Sequence, residues 1–291
     1  MQTTLPIALL RFQSRIMSKR ISSDWLCLIT VIFSLVSISA HSKEIEKIKL
    51  NISGSSTIAP LASELAKAFE LKYPNYRLDV QSGGSSKGLA DVRNKLSDLG
   101  MVSRDLTEKE AELHGTPIAY DGIAIIVHKD NPIFELNSQQ VVSVYTGKYT
   151  NWKELGGADQ PITVVNKAEG RSTLELFLQF FNLKNSDIKA KIIVGENEQA
   201  IKLIGGNRWS IGYVSIGSAE YASKISKIIK SLRLNGIDAT LANVTNKTYP
   251  IRRTLNFVYD SKNTEKVKKF LAFFKEPEAV KIIEDQFFVP L

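Results

Sequence analysis

The sequence predicts an α/β fold with largely parallel strands, because two apolar periodicities alternate along it. Residues Ile48–Ile52 are apolar at every second position, as in a strand, and apolar residues then recur at helical spacing over Ile58–Phe69. The same order repeats with a strand pattern at Leu78–Val80 and a helical one at Leu89–Leu96. Such alternation is typical of parallel sheets, whose ligands bind beyond the carboxyl ends of the strands.

The rest of the chain continues this alternation, without an internal repeat or a low-complexity linker. Further strands are predicted at Leu99–Val102, Ile123–Val127, Ile162–Val165, Ile192–Val194, Ile211–Val214 and Leu255–Tyr259. Further helices are predicted at Thr107–Leu113, Ser138–Tyr145, Ser172–Phe181, Glu198–Ile204, Thr264–Phe274 and Pro277–Asp285. Thr107 and Glu110 have capping-box spacing.

The first 40 residues are predicted to be a signal peptide. Four basic residues between Arg11 and Arg20 precede the apolar run Trp25–Val36, and small residues follow as far as Ala40. A transmembrane anchor is the alternative, but the apolar run is shorter than the roughly 20 residues that a bilayer requires. We therefore expect an exported, periplasmic protein.

Composition excludes several kinds of chemistry. The only cysteine, Cys27, lies in the predicted signal peptide, so the exported chain has no disulfide, no cysteine-ligated metal and no cysteine nucleophile. We expect no metal and no cofactor. The net charge is +8, but the lysines are spread along the chain without interleaved aromatic residues, which does not favour nucleic-acid binding.

Three segments rich in glycine and hydroxyl residues lie where a predicted strand ends and a helix begins: Ser53–Thr57, Gln81–Gly88 and Glu169–Thr173. Each is compatible with an ordinary capped helix. The start of a helix is also an anion site, since free N–H groups and the positive end of the helix dipole point to one spot. Recurrence at three junctions favours the second interpretation.

A fourth segment, Val102–Asp105, follows another predicted strand. Its Arg104 is suited to holding an oxyanion through two parallel N–H bonds, or to pairing with Asp105 on the surface. We predict the first role because of the three loops that accompany it.

Several motifs in series resemble the phosphate-binding proteins of ABC phosphate importers, in the type II periplasmic binding-protein superfamily. They are SGSSTIAPL, SGGSSKGL, GMVSRDLTEKE, AYDGIAIIVHKDNP, VYTGKYTNWKELGG and PITVVNKAEGRSTLELF. The resemblance is strong over Ile48–Phe181 and loose elsewhere. It implies a two-lobed α/β fold with the ligand cleft between the lobes.

The resemblance also implies a set of phosphate ligands. They are Ser55, Ser56, Thr57, Ser85, Ser103, Arg104, Gly170, Arg171, Ser172 and Thr173. Arg171 stands where a serine is common in the family, and Lys167 stands where many members have an arginine. We therefore expect Arg171 to be the principal charge partner of the anion.

A second departure from the family concerns selectivity. Many members have an aspartate at the position of Ser103, where the carboxylate accepts a hydrogen bond from the proton that phosphate keeps and repels fully ionised sulfate. Asp105, Asp121 or Glu169 are candidates to replace it. Binding of another oxyanion, such as sulfate, molybdate or an organic phosphate, remains the alternative.

The resemblance further implies how the chain is divided and what it serves. Lobe one is expected at residues 45–122 and 252–291, and lobe two at 123–251. Closure of the lobes over inorganic phosphate would produce the form that the permease subunits of an ABC transporter recognise. The expected protein is a monomer without enzymatic activity.

A secreted serine hydrolase is a remote alternative. Residues Gly84–Gly88 fit the nucleophile pattern G-x-S-x-G, with Ser86 as the nucleophile. That chemistry also requires a histidine, and outside the signal-peptide junction the candidates are His114 and His128.

Overall fold

The computed structural model describes residues 47–291, and the predicted signal peptide lies outside them. Within this range no helix has the length and apolar character needed to cross a membrane. The strands are β1 (Ile48–Gly54), β2 (Tyr76–Ser82), β3 (Leu99–Val102), β4 (Leu113–His128), β5 (Glu135–Leu136), β6 (Thr163–Lys167), β7 (Ile192–Val194), β8 (Ser210–Ser215), β9 (Ile229–Ser231), β10 (Arg233–Leu234), β11 (Arg252–Asp260) and β12 (Val289–Pro290). The helices are α1 (Ala59–Lys72), α2 (Ser85–Arg93), α3 (Ser138–Tyr145), α4 (Ser172–Phe181), α5 (Asn197–Gly206), α6 (Ile216–Ile225), α7 (Leu241–Thr245), α8 (Thr264–Phe273) and α9 (Pro277–Asp285).

The main sheet has the strand order β2-β1-β3-β11-β4-β8-β6-β7, and β9 and β12 pair with β4. Its two ends are parallel, through the pairs β1–β2, β1–β3, β6–β8 and β6–β7. In the middle, β11 is antiparallel to β3 and β4, and β4 is antiparallel to β8. The predicted parallel strands are therefore present, but two long antiparallel strands separate them.

Strand β4 joins the two ends of the sheet. Residues up to Gly122 pair with β11, whereas residues from Ile123 pair with β8 and β9. The chain returns through β11, and the carbonyl oxygen of Ile251 accepts a hydrogen bond from the amide of Ile123 at 3.1 Å. A Cβ at Gly122 would lie 2.7 Å from that same oxygen, so glycine permits the close approach of the two strands.

The apolar interior consists of two large clusters and one small one. The first cluster draws its residues from positions 50–119 and 255–288, and Phe69 lies at its centre in contact with Phe270 and Phe273. The second draws its residues from positions 123–251, and Phe177 stacks on Tyr213 with ring centroids 4.0 Å apart. The two large clusters thus lie on opposite sides of the point where β4 changes partners.

The predicted helix Thr107–Leu113 is wrong. The structure has a single 3-10 turn at Glu108–Glu110, and Leu113 already belongs to β4, where it pairs with Asp260. The capping box does form, since the amide of Thr107 donates to the carboxylate of Glu110 at 2.8 Å. Seven residues give too short a pattern to identify a helix, and the distant pairing with β11 determines the structure here.

Candidate functional site

The first predicted loop follows β1, which ends at Gly54 with a φ of +132°. A Cβ there would lie 2.4 Å from the carbonyl oxygen of Met101, so only glycine fits. The chain then turns sharply, and Ser55 Oγ accepts a hydrogen bond from the amide of Thr57 at 3.2 Å. Helix α1 begins at Ala59 without a side-chain cap.

The second loop lies directly against the first. The amides of Gly83 and Gly84 both donate to the carbonyl oxygen of Gly54, at 2.8 Å each. Gly84 has a φ of +99°, and α2 begins at the next residue, Ser85, again without a side-chain cap. The ends of β1 and β2 are adjacent because the strands are parallel neighbours, as the sequence pattern predicts.

The third loop reaches the second from the opposite part of the chain. The carbonyl oxygen of Gly170 accepts a hydrogen bond from the amide of Ser86 at 3.2 Å. Helix α4 begins at Ser172 and has no side-chain cap. Some N–H groups at these helix starts already have partners, since Ala59 donates to the carbonyl oxygen of Ser55 and Ser86 to that of Gly170. The three helix starts nevertheless bring the positive ends of their dipoles to one place.

The three loops and Ser103 surround a small, partly open cavity of about 10 Å³, the volume of about one water-sized sphere. It is lined by Ser55, Ser56, Thr57, Gly84, Ser85, Ser103, Arg171, Ser172 and Thr173. The structure thus brings together eight of the ten residues that the sequence predicts as ligands. Gly170 and Arg104 do not line it.

The lining contains a buried hydroxyl that has no partner. Ser172 Oγ belongs to a residue that is 2% exposed, and it forms no hydrogen bond within residues 47–291. A buried polar group without a partner loses free energy unless a ligand or water satisfies it. The position of Ser172 in the cavity therefore points to a hydrogen-bonding guest.

Arg253, on β11, lies beneath the cavity and was not predicted as a site residue. Its side chain is fully buried with that of Asp121, and its Nε and Nη2 donate to Asp121 Oδ2 at 2.9 and 2.7 Å. Its Nη1 donates to Thr173 Oγ1 at 3.1 Å and to Ser103 Oγ at 3.3 Å, and its Nη2 donates to Thr57 Oγ1 at 3.0 Å. One guanidinium therefore holds hydroxyls from three separate segments.

These bonds determine what the hydroxyls offer to a guest. Thr57, Ser103 and Thr173 each use an oxygen lone pair to accept from Arg253. A hydroxyl that accepts in this way still has its O–H free to donate. The site is therefore a set of hydrogen-bond donors backed by a buried positive charge, which is suited to an oxyanion.

A signal for Arg253 was present in the sequence. Ile251, Arg253 and Leu255 alternate along one strand, so position 253 falls on the buried face. A charged residue at a buried position must have a partner, and such positions are often functional. The partner, Asp121, lies 132 residues away and is not identifiable from local pattern.

Arg171 and Arg104 differ in their surroundings. Arg171 lines the cavity and donates through Nη1 to Glu196 Oε1 at 2.8 Å. Arg104 instead donates to both carboxylate oxygens of Glu110 at 2.8 Å and to Glu175 Oε2 at 2.6 Å. The hydrogen bonds from Arg104 lower the pKa of Glu110 to about 2. Arg104 is thus engaged by two carboxylates outside the cavity.

The candidate proton acceptors lie elsewhere. Asp121 is occupied by Arg253, Glu169 accepts from Asn185 Nδ2 at 2.9 Å, and Asp105 lines a separate cavity with Arg104. No carboxylate of the described residues lines the small cavity. The same part of the chain contains no group of three or more His, Cys, Asp or Glu side chains arranged to hold a metal ion.

Ser86 is exposed, and its hydroxyl donates to Glu175 Oε1 at 3.3 Å. His114 stacks on Tyr259, and His128 Nδ1 accepts from the amide of Asp130. Neither histidine is a hydrogen-bond partner of Ser86 in the part of the chain that the structure describes. The contacts of Ser86 therefore lack the base that the hydrolase alternative requires.

Comparisons with known proteins agree with the fold. Residues 38–278 match the family model PBP_like_2, described as a PBP superfamily domain. The chain is 34% identical to a Clostridium perfringens protein assigned as a phosphate ABC transporter substrate-binding protein, whose crystal structure contains bound phosphate; the match covers 84% of this chain and 99% of that one, with a TM-score of 0.78. An ABC-type phosphate transport receptor from Vibrio cholerae is 32% identical, with coverages of 83% and 100% and a TM-score of 0.69. The phosphate-binding protein PstS of Bacillus subtilis is 29% identical over 258 residues, 87% of this chain and 84% of that protein.

The fold and the donor-lined cavity define a solute-binding protein of the two-lobed α/β class, which confirms the predicted fold class. The chain belongs to the PBP superfamily and, within it, to the phosphate-binding proteins of ABC importers. The resemblance drawn from the sequence motifs is thus confirmed.

Proposed function

We propose that this chain binds one inorganic phosphate ion in the small cavity and delivers it to the permease subunits of an ABC importer. The observation that carries the proposal is the unpartnered Ser172 Oγ, placed among uncapped helix starts above the buried Arg253. The names of the related proteins support the same ligand. The protein itself performs no chemistry on phosphate.

The proposed ligands are the residues that line the cavity, with Ser172, Thr173 and Arg171 provided by α4 and the loop before it. Arg253 contributes the buried charge, and it positions Thr57 and Ser103 through hydrogen bonds. Charge-assisted hydrogen bonds contribute about 1.5–3 kcal/mol each. Several such bonds hold an oxyanion without a metal.

The proposed lobes are residues 45–122 with 252–291, and residues 123–251. The two apolar clusters and the change of partners along β4 support these boundaries. The cavity then lies between the lobes, because Thr57, Ser85 and Ser103 come from lobe one and Arg171–Thr173 from lobe two. Arg104 of lobe one and Glu175 of lobe two form an ion pair across the same cleft.

We propose further that the protein is exported to the periplasm, acts as a monomer and binds no nucleic acid. The lysines of the described surface support the last point, because five of them pair with a carboxylate one helical turn away. Examples are Lys67 with Glu64, Lys224 with Glu220 and Lys281 with Asp285. Alternating charges of this kind are typical of a solvated helix face.

Calorimetric titration of the dialysed protein with phosphate tests the proposal. The expected result is one phosphate per chain, with the same affinity in the presence of a chelator, since the donors are amides, hydroxyls and guanidinium groups. The absence of binding at millimolar phosphate would contradict the proposed function.

The Ser172→Ala variant is expected to bind phosphate about 10- to 150-fold more weakly, because it loses one hydrogen bond to a charged guest, worth about 1.5–3 kcal/mol. Its thermal stability should not fall, since Ser172 Oγ has no partner in the described structure. Titration and thermal unfolding measure the two effects. Ser86→Ala is the matched control, because Ser86 also lies in the first turn of a helix, α2, but is exposed and does not line the cavity. Equal Kd values for the two variants would count against the assignment.

A further inference from the structure

Lys167, the last residue of β6, is a buried lysine that does not itself line the cavity. It is 3% exposed, and its Nζ donates to the carbonyl oxygen of Glu196 at 2.9 Å and to Asn197 Oδ1 at 3.1 Å. Both acceptors are neutral, and Lys167 forms no ion pair within residues 47–291. Burial of an ammonium group without an ion-pair partner costs free energy and favours the neutral amine.

One further hydrogen bond connects the partners of Lys167 with the anion cavity. Asn197 Nδ2 donates to Thr57 Oγ1 at 3.2 Å, and Thr57 lines the cavity. A side-chain amide has its oxygen and its NH₂ on opposite branches, so an ammonium held at Oδ1 keeps Nδ2 directed at Thr57. Nδ2 also lies 3.3 Å from Ser218 Oγ, which fixes the same orientation.

This arrangement determines the direction of the Thr57 hydroxyl. Thr57 Oγ1 accepts from Asn197 Nδ2 and from Arg253 Nη2, so both of its lone pairs are used. Only its O–H remains, and this group can donate to a guest. Lys167 is therefore two hydrogen bonds from a cavity-lining donor, and the link crosses from lobe two to lobe one.

The charges around Lys167 make its protonation sensitive to an anion bound in the cavity. Burial lowers its pKa to about 7; Glu196 and Glu198 act to raise the pKa, whereas Arg253 and Arg171 lower it. The Tyr213 hydroxyl, which donates to the side chain of the neighbouring Asn166, is neutral because burial raises its pKa. An anion beside Arg171 and Arg253 adds negative charge, which favours the protonated form of Lys167.

We propose that Lys167 is a positioning residue that aims the Thr57 hydroxyl through Asn197 and takes up a proton when phosphate enters the cavity. The inference rests on the proposed function. Below a pH of about 7, Lys167 is charged with or without phosphate and adds no pH dependence. Above it, only the bound form regains the charge, so phosphate affinity falls as pH rises.

Calorimetry in buffers of different ionisation enthalpy counts the protons taken up with phosphate, at a pH about one unit above the Lys167 pKa of about 7. Wild type is expected to take up more protons than Lys167→Met, by up to about one per phosphate, and to lose affinity more steeply with pH. The comparison between variants cancels the protons that phosphate itself exchanges. Lys167→Arg, which stays charged, should resemble Lys167→Met in proton count but keep its affinity at alkaline pH.

Equal proton counts for wild type, Lys167→Met and Lys167→Arg, with phosphate bound by all three, would overturn the inference alone. Failure of wild type to bind phosphate would instead overturn the proposed function. If Lys167→Met does not fold, Lys167→Arg and wild type still give the decisive comparison.

The positioning part has its own test in the variants Lys167→Met and Asn197→Ala and their combination. Because both residues act on Thr57, the phosphate affinity of the double variant should be within about twofold of that of the single variant with the lower affinity. Losses that multiply in the double variant would show that Lys167 does not act through Asn197.

Discussion

Replacement of Arg253 by methionine is expected to reduce phosphate affinity by at least about 1,000-fold. This loss corresponds to about 4 kcal/mol of binding free energy. The change removes a buried guanidinium next to the cavity, and it leaves Thr57, Ser103 and Thr173 without their common donor. The free energy of unfolding should also fall by about 3–5 kcal/mol, because Asp121 remains buried without its partner. Titration calorimetry and denaturant unfolding measure the two losses.

The double variant Arg253→Met/Asp121→Asn separates these effects. Removing both charges should restore much of the folding stability but none of the phosphate binding. Arg104→Met is the matched control, since Arg104 is an arginine of the same cleft that lies outside the cavity and pairs with Glu110 and Glu175. Its phosphate affinity should change by less than that of Arg253→Met; the reverse order would contradict the assignment of Arg253.

The Gly84→Ala variant is expected to lose about 5- to 150-fold in phosphate affinity, from about 1–3 kcal/mol of overpacking. A Cβ at Gly84 would lie 2.7 Å from the carbonyl oxygen of Gly170 and 2.9 Å from Arg171 Cδ. Either the two loops separate or the site distorts, and both outcomes displace Arg171 from the guest. Phosphate titration measures the loss.

Two glycines provide controls for this variant. At Gly83 a Cβ would meet only the flexible side chain of Lys87, so Gly83→Ala should have a small effect. Gly156 has a φ of +81° with no atom within 4 Å of the added Cβ, so Gly156→Ala measures the cost of the backbone conformation alone. An affinity for Gly84→Ala equal to those of both controls would argue against close contact of the loops in the bound form.

The sequence predicted the loops well because their chemistry is local. Glycine and hydroxyl residues at a strand–helix junction indicate a helix start, where an anion can bind, and parallel strands place successive junctions at one sheet edge. The segments that contain Ser55, Ser85 and Ser172 were singled out in this way. The family resemblance then implied the individual ligands, including Ser103, which lies outside the three segments.

The rest of the site depends on contacts between distant segments. Arg253 and Asp121 lie opposite each other because β4 and β11 pair in antiparallel fashion in the middle of the sheet. The alternation of strands and helices in the sequence does not reveal this pairing. Arg104 was predicted as a ligand from its place in a motif. Its two carboxylate partners, Glu110 and Glu175, hold it outside the cavity, and the second of them is 71 residues away.

The most direct test of phosphate binding at this site is a crystal structure of the protein with phosphate. We expect a tetrahedral anion among the lining residues, with Ser172 Oγ about 2.6–3.0 Å from one of its oxygens. Arg253 should retain its bonds to Asp121 and to the hydroxyls of Thr57 and Thr173. Phosphate bound instead beside Arg104, with Ser172 Oγ still without a partner, would contradict the proposed site.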